Sequence, residues 1–258
     1  MILGIPWQTL IIVVPLVFLS GLMDAVAGGG GLISLPAYLI AGVSPHQAVA
    51  TNKLSSTMGL TVSTGRYLAK GYIDWGLAVP SAILGILGAA LGAKLILLIP
   101  ESVMRWFLIA VLPIVAVLVL KKRSFDDSEL TPVPRRRQLV IVSAASLVIG
   151  MYDGFYGPGT GTFMLLVLTQ FAHLGVRQAS GNVKIMNLSS NLGALTTFLL
   201  NGRAIVPLGL IAGVAAIAGQ YIGSGLVISN GGKIVRPIVL CVLGLLFIRV
   251  ILELTGLA

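Results

Sequence analysis

The sequence predicts an all-α polytopic membrane protein built from two homologous repeats, and three observations support this fold class. Of the 258 residues, 57% are hydrophobic and only 10% are charged, with a mean hydropathy of +1.02, which leaves too little polar surface for a soluble globule. Apolar stretches of membrane-spanning length follow one another along the whole chain. An aspartate followed by a glycine cluster occurs twice within this apolar sequence, as Asp24 with Gly28–Gly31 and as Asp153 with Gly157–Gly161.

Ten apolar stretches define the expected elements, five in each half of the chain. Most approach the ~20 residues that cross a hydrocarbon core. Two of them, 32–42 and 162–174, are shorter and each follows a glycine cluster, which favours a half-helix or re-entrant segment. We therefore expect about four spanning helices and one glycine-initiated half-helix in each repeat. The stretches are 8–27, 32–42, 46–69, 76–98, 103–120, 138–157, 162–174, 178–200, 205–229 and 235–254.

A basic polar segment separates the two halves. Six of the 17 Lys and Arg residues lie in 121–137, together with three acidic residues and two prolines, which is typical of a solvated linker. The positive-inside tendency places this linker in the cytoplasm. The expected organisation is a first membrane repeat over 1–120, the linker over 121–137 and a second membrane repeat over 138–258. Because topology explains the net charge of +9, we expect no nucleic-acid partner.

Matches between polar residues extend the repeat well beyond the doubled motif. Asp24 and Asp153 are 129 positions apart, and after a two-residue insertion the spacing becomes 131. Lys53 then corresponds to Lys184. Shared apolar composition does not account for matches of charged residues and glycines, so the sequence predicts duplication. The other pairs are Gln47 with Gln178, Ala48 with Ala179, Gly71 with Gly202, Gly88 with Gly219, Gly92 with Gly223 and Arg105 with Arg236.

The relative orientation of the repeats depends on whether the short segments after the glycines cross the membrane. Four crossings in each half make the repeats parallel, with both termini in the cytoplasm, whereas five make them inverted, with both termini outside. The parallel arrangement is favoured because it alone places Arg66, Lys70 and Arg203 on the inner side. The spaced pairs Gly88/Gly92 and Gly219/Gly223 predict close helix contacts between the repeats.

The glycine clusters are the first candidate for a binding site. Each glycine costs about 1 kcal/mol in a helix relative to alanine, so four in a row at Gly28, Gly29, Gly30 and Gly31 predict a helix break. Ser34 is positioned to cap a new helix, as are Thr160 or Thr162 in the second copy. A helix N-terminus at membrane depth favours an anion. The alternative is that the glycines only permit close packing. The second cluster contributes Gly157, Gly159 and Gly161.

Two intramembrane lysines are the second candidate. Ser44-Pro45-His46-Gln47 predicts a helix start near residue 45, which places Lys53 about two turns inside that helix. Neither Lys53 nor Lys184 has an acidic residue within one helical turn, so each needs a water-filled cavity, a distant partner or an anionic ligand. A substrate anion satisfies this need most simply, and snorkelling to the membrane surface is the alternative. The adjacent amides that complete the candidate site are Asn52, Asn182 and Asn187.

Asp24 and Asp153 are candidates for proton coupling, because intramembrane carboxylates commonly relay protons or couple ions. Two structural roles remain equally open: capping the helix after the break, or pairing with Lys53 and Lys184 across the bundle. His46 and His173 have no second ligand at metal spacing and Cys241 stands alone, so we expect no metal and no cofactor.

Taken in order, these motifs resemble the TauE/SafE sulfite exporter family, also called the toluene sulfonate uptake permeases. The resemblance rests on the Asp24 and Gly28–Gly31 motif with Ala50-Thr51-Asn52-Lys53, and on Gly157-Pro158-Gly159-x-Gly161 with Ala179-Ser180-Gly181-Asn182-x-Lys184. It covers residues 8–254. It implies a multi-pass transporter of the bacterial inner membrane that moves sulfite, sulfonates or other small organosulfur anions, by export. Val183 stands opposite Asn52, so the implied site is only pseudo-symmetric.

The expected function is therefore secondary-active transport of a small anion by alternating access around a site between the repeats. The lipid bilayer is the surrounding partner, and a homo-oligomer is compatible with the sequence. The alternatives are a non-transporting membrane subunit, a membrane enzyme and a passive anion channel. No recognisable hydrolase or nucleotide-binding motif accompanies the repeats, so an enzyme is not expected.

Overall fold

A computed structural model describes residues 1, 3–101, 103 and 133–230 of the chain. Within these residues the secondary structure is helical and contains no strands. The expected stretches beyond residue 103 in the first half and over 235–254, most of the linker, the pair Arg105/Arg236 and Cys241 lie outside the described residues. The helices are α1 (Trp7–Ala27), α2 (Gly31–Ile40), α3 (Pro45–Ala69), α4 (Trp75–Leu97), α5 (Arg135–Phe155), α6 (Thr160–Gln170), α7 (Val176–Leu200) and α8 (Val206–Asn230).

Each expected stretch that falls within the described residues is a helix, with boundaries within four residues of the prediction. Four helices, α1, α4, α5 and α8, are long and apolar enough to cross a membrane. The helices α3 and α7 have 25 residues each, yet they carry too many polar residues to qualify by composition. Most of those polar residues are buried. These two helices therefore form the polar interior, and the other four enclose it.

The helices α1, α3 and α8 run in the same direction. Along α3 and α8, Gly209 contacts Leu54 and Gly213 contacts Met58. Further along, Arg66 stacks on the ring of Tyr221, with 4.1 Å between the guanidinium carbon and the ring centre. The second group, α4, α5 and α7, is also mutually parallel, since Gly76, Gly85 and Gly92 of α4 meet successive residues of α5 and Gly193 of α7 meets α4 at Ile86.

The two groups run in opposite directions through the centre of the molecule. Where α3 meets α7, Thr64 donates a hydrogen bond to the carbonyl oxygen of Lys184 at 3.4 Å. Lys53, three turns earlier on α3, meets Asp153, which also accepts from Asn191 of α7. Position increases along one helix as it decreases along the other, so α3 and its counterpart α7 are antiparallel. The favoured parallel orientation is therefore wrong for these helices, which have the inverted arrangement.

The described basic residues outside the core are distributed unequally between the two ends of the helix bundle. The loop between α3 and α4 lies beside the start of α5, where Asp74 pairs with Arg135, and beside the start of α7, where Gly181 contacts Tyr72. We call this the basic end, because Arg66, Lys70, Arg177 and 135–137 cluster there. Arg203 lies at the opposite end, since the neighbouring Ile205 amide donates to Thr51 near the start of α3. Among the described residues, Lys94 in the last turn of α4 also lies on this side, and two basic residues there against the larger cluster at the basic end are compatible with the positive-inside tendency.

Glycine contacts join the two halves of the chain. Gly88 and Gly92 of α4 lie against the backbone of α5 at Leu147 and Met151, and Gly219 and Gly223 of α8 lie against α1 at Leu22. The prediction that these spaced glycines mark close contacts between the halves is confirmed. Because no Cβ intervenes, the helix backbones approach closely and hold the polar helices α3 and α7 between them.

Candidate functional site

Two glycine turns interrupt the membrane helices as predicted, although their caps differ from the prediction. Gly28 ends α1 in the left-handed conformation at φ 75°, and α2 begins at Gly31 after the N-cap Gly30. In the second half, Gly159 is the N-cap of α6 at φ 80°. The predicted side-chain caps are wrong: Ser34 and Thr160 lie inside their helices. The hydroxyl of Ser34 donates to the Gly30 carbonyl and that of Thr160 to the Gly157 carbonyl, while Thr162 is likewise helical.

The two turns touch each other through their backbones. The amide of Thr162 donates to the carbonyl oxygen of Gly28 at 3.2 Å. A Cβ atom on Gly161 would lie 2.6 Å from the Cα of Gly28, and a Cβ on Gly28 would overlap the Gly161 backbone. Glycine is therefore required here both by the positive φ of Gly28 and by the close approach. This contact brings the turn before α2 against the first turn of α6.

Fewer backbone amides face the site than a bare helix N-terminus provides. The amides of Leu32 and Ile33 donate to the carbonyls of Gly29 and Gly30, at 3.1 and 2.9 Å. In the other turn, the Thr160 amide donates to Gly157. Tight first turns thus satisfy donors that the sequence left free for an anion, and side chains become the main donors of the site.

Lys53 forms a buried ion pair with Asp153 of the opposite half. The ammonium lies 2.8 Å from Oδ1, and both side chains are only 3% exposed. The other carboxylate oxygen accepts hydrogen bonds from Ser190 at 2.7 Å and Asn191 at 3.2 Å. The lysine also lies beside Gly157, where a Cβ would stand 3.1 Å from Nζ. Asp153 is therefore held by one cation and two neutral donors.

Lys184 forms the corresponding pair with Asp24, with a different geometry. Its ammonium donates to the backbone carbonyl of Asp24 at 2.6 Å and lies 3.5 Å from the carboxylate Oδ2. The side chain of Asp24 is 15% exposed, against 3% for Lys184. Gln220 donates to Oδ2 at 2.6 Å, and the Gly30 amide donates to Oδ1 at 3.4 Å. This carboxylate is the more accessible of the two.

Both lysines therefore reach across the molecule instead of serving the glycine turn of their own half. The inverted packing puts each lysine beside the aspartate of the opposite half. Of the three ways to accommodate the charge of Lys53 and Lys184, the structure uses a distant partner. The interpretation of Asp24 and Asp153 as lysine partners across the bundle is confirmed.

A small cavity of ≈30 Å³ lies where the turns and the ion pairs converge. It has room for about two water molecules. Most of the predicted site residues line it, whereas Gly29, Gly159, Asn182 and Lys184 do not. Asn182 instead donates to the carbonyl of Gln178 at 2.8 Å, inside α7. The predicted residues at the wall are Asp24, Gly28, Gly30, Gly31, Asn52, Lys53, Asp153, Gly157, Gly161 and Asn187.

Several polar residues of the wall were not among the predicted site residues. Gln220 is the most informative, because it is a buried amide within the otherwise apolar stretch of α8. A lone amide in a spanning helix is a signal that the sequence offers, since polar groups at membrane depth are costly. Its counterpart in the first half is Ala89, so comparing the halves would also have marked it. The others are Ser20, Ser56, Thr160 and Asn191.

The formal charges at the centre cancel, because two ammonium groups face two carboxylates. Neutral amides lie beside these charges: Nδ2 of Asn191 donates a hydrogen bond to Oδ1 of Asn187 at 3.0 Å. In a low-dielectric interior, such an arrangement is stable only while the pairing is complete. A charge entering this cavity must therefore be matched by a change at one of the pairs.

Comparison with known proteins identifies the family. The model of the family described as sulfite exporter TauE/SafE matches residues 13–250. The chain is 35% identical over 240 residues to a probable membrane transporter protein ORF9 of Sinorhizobium sp, covering 92% of this chain and 90% of the relative. It is 31% identical over 230 residues to the probable membrane transporter protein YfcA of Escherichia coli strain K12, covering 87% and 82% of the two chains.

A probable membrane transporter protein of Haemophilus influenzae is 32% identical over 225 residues, covering 86% of each chain. No solved structure matches the chain. The matched relatives are transporters and not enzymes, in agreement with the apolar helices that can cross a bilayer. The chain is an integral membrane transporter protein that belongs to the TauE/SafE family.

Proposed function

We propose that this transporter is secondary-active and moves small organosulfur anions, with sulfite or an organosulfonate as the substrate and export across the bacterial inner membrane as the direction. The observation that carries the proposal is the central cavity, at whose wall Lys53 and both aspartates meet the two glycine turns. A site of this kind, midway along interrupted helices, is typical of transporters built from inverted repeats.

Side chains at the cavity provide the donors that an oxyanion requires. Lys53 lies at the wall, and Asn52, Asn187 and Asn191 contribute amide groups beside it. An incoming sulfonate or sulfite oxygen competes with the carboxylate of Asp153 or Asp24 for the ammonium groups. The anion is thus exchanged against an existing ion pair, and the lysine charge is never left unmatched in the interior.

Alternating access follows from the way the halves contact each other in this proposal. The cavity is too small for an organosulfonate as it stands, so the surrounding helices must separate to admit one. The interface between α3 and α7 is polar and runs towards both ends of the molecule, whereas the glycine contacts of α1 with α8 and of α4 with α5 are close and apolar. Rocking of these two tight units about the centre opens one end at a time.

The proposal is tested with purified protein in liposomes by measuring flux of labelled sulfite and of a sulfonate. Lys53→Met and Lys184→Met remove the two cations, and we expect at least a tenfold loss of flux in each. Lys94→Met is the matched control, because Lys94 is exposed near the end of α4 and away from the cavity. Undiminished flux in both site variants would exclude the site.

A second measurement separates a transporter from a passive channel. With an imposed pH gradient, the proposed mechanism accumulates the anion above its equilibrium concentration. A channel only equalises the concentrations. Flux that is indifferent to the pH gradient would remove the aspartates from the coupling mechanism, and absence of any flux with either anion would contradict the proposed substrate class.

A further inference from the structure

We propose that Asp24 is the carboxylate that takes up the coupling proton, and that Gln220 is the positioning residue that accommodates both protonation states of Asp24. This inference rests on the proposed transport function and assigns its coupling to one of two similar carboxylates. It follows from the hydrogen-bond partners of each aspartate and from the burial of Gln220.

Asp153 is surrounded by groups that favour its ionised form. Lys53 contacts Oδ1 at 2.8 Å, and Ser190 and Asn191 donate to Oδ2 at 2.7 and 3.2 Å. Ser190 and Asn191 can also accept hydrogen bonds, but protonating this carboxyl leaves an ammonium that is only 3% exposed without its ionised partner, which is costly. In this proposal Asp153 therefore serves to anchor Lys53.

Asp24 has a partner that can exchange the roles of donor and acceptor. The Nε2 of Gln220 donates to Oδ2 at 2.6 Å, which matches an ionised carboxylate. The other amide atom, Oε1, is buried and has no hydrogen-bond partner among the described residues. Gln220 is 2% exposed and lines the cavity. A half-turn of this amide presents Oε1 as the acceptor for a protonated Asp24.

Lys184 stays in place when Asp24 is neutral. Its shortest contact is to the backbone carbonyl of Asp24, at 2.6 Å, and not to the carboxylate at 3.5 Å. The carbonyl is unaffected by protonation of the side chain. The charged groups that face Asp24 are thus Lys184 from α7, Lys53 from α3 across the cavity and Asp153 from α5, while α2, α6 and α8 contribute only neutral residues to the described wall.

The charge of the site then explains the coupling. With both aspartates ionised, the two pairs sum to zero, and a monoanion would bring an uncompensated negative charge into the interior. Protonation of Asp24 makes the sum +1, and a monoanion restores neutrality. One proton therefore accompanies each monovalent anion in the same direction, without net charge, so export runs when the outward gradient of the anion exceeds the inward gradient of the proton.

A proton suits this position better than a sodium ion. The groups around the Asp24 carboxylate are N–H donors from Gln220, Gly30 and Lys184. Sodium prefers a shell of oxygen acceptors, and the ammonium of Lys184 would repel it. Sodium-driven transport is accordingly an outcome that would overturn the proposal.

Infrared difference spectroscopy tests the protonation without any transported substrate. We titrate the purified wild-type protein with acid and follow the C=O stretch of a protonated buried carboxyl. The band is expected to be absent in Asp24→Asn, and its frequency is expected to shift in Gln220→Leu, because the protonated carboxyl loses Oε1 as its hydrogen-bond acceptor. The same band in Asp24→Asn, or an unshifted band in Gln220→Leu, would overturn the assignment.

Flux measurements test the coupling in liposomes with methanesulfonate as the probe. Asp24→Asn removes the group that takes up the proton, so we expect accumulation of the anion driven by a pH gradient to be lost. Gln178→Leu is the control for Gln220→Leu, because its side chain is exposed on α7 and accumulation should be unchanged. Retained pH-driven accumulation in Asp24→Asn, or dependence on sodium, would refute the coupling.

If wild-type protein moves no anion while the infrared band behaves as expected, the proposed function fails and the protonation site stands.

Discussion

The two ion pairs at the centre of the molecule are related by the predicted repeat and yet differ in how firmly they are held. Lys53 and Asp153 are both 3% exposed and meet at 2.8 Å, with Ser190 and Asn191 completing the carboxylate shell. Lys184 and Asp24 meet at 3.5 Å, and the carboxylate is 15% exposed.

This difference shows that matching scaffolds can support unequal sites. The residues that hold Asp153, Ser190 and Asn191, stand opposite Gly59 and Leu60 in the first half, and Gln220 beside Asp24 stands opposite Ala89. The charged residues are preserved in both halves, and their neutral neighbours differ. The pair of Lys53 and Asp153 is therefore suited to holding the two halves together. The pair of Lys184 and Asp24 is suited to a change in the protonation state of its carboxylate.

The largest effect is expected from breaking the tighter pair. Asp153→Ala leaves the ammonium of Lys53 buried without a partner, so we expect the free energy of unfolding to fall by about 3–5 kcal/mol. The double variant Asp153→Leu with Lys53→Met removes both charges and should recover much of this loss. Unfolding in detergent micelles, followed by circular dichroism, measures both. A double variant less stable than Asp153→Ala would contradict the assignment of the loss to an unpaired charge.

The contact between the glycine turns comes next. Gly28→Ala places a side chain at φ 75° and against the backbone of Gly161, and we expect destabilisation of about 2–4 kcal/mol. Gly65→Ala is the matched control, because Gly65 lies in α3 with nothing within 4 Å of its Cβ position and alanine favours helix by about 1 kcal/mol. The melting temperatures of the two variants are compared by thermal unfolding. Equal melting temperatures would contradict the contact between the turns.

A smaller effect is expected from the looser pair. Asp24→Ala should cost about 1–3 kcal/mol, because Lys184 keeps its bond to the backbone carbonyl and the lost carboxylate is partly exposed. The same unfolding assay as for Asp153→Ala gives the comparison directly. If Asp24→Ala proves the more damaging of the two, the order of the pairs is the reverse of the one inferred from their geometry.

The smallest effect concerns the basic end, where Arg135 donates two hydrogen bonds of 2.6 Å to Asp74. Hydrogen bonding from Arg135 holds the pKa of Asp74 below its ordinary value of 3.8. Its contribution to stability is therefore complete above pH 3.8 and lost as the pH falls through the lower folded-state pKa. Because the pair is exposed, we expect less than about 1 kcal/mol.

Unfolding of wild type and Arg135→Ala at pH 7 and in acid measures this contribution, because Asp74 itself also caps α4 by accepting from the Gly76 amide. The two proteins should differ slightly at neutral pH and converge in acid. A difference that grows as the pH falls would show that the sign is wrong.

Sequence patterns were sufficient for the elements and for much of the site. Apolar length and the glycine clusters located the helices, because the bilayer demands long apolar segments and glycine interrupts them. The aspartates and Lys53 at the cavity were also identified, since a charge at membrane depth stands out against apolar neighbours. The predicted side-chain caps of α2 and α6 were wrong, because local sequence preference does not reveal that the two glycine turns contact each other at Gly28 and Gly161.

The sequence by itself determined that the chain is a helical membrane protein with repeated motifs and four intramembrane charges. Tertiary structure alone decided that α3 and α7 are antiparallel, which lysine meets which aspartate, and that Gln220 lies beside Asp24. The physical reason is that composition and periodicity act along the chain, whereas the partner of a buried charge is selected by packing between segments one hundred or more residues apart.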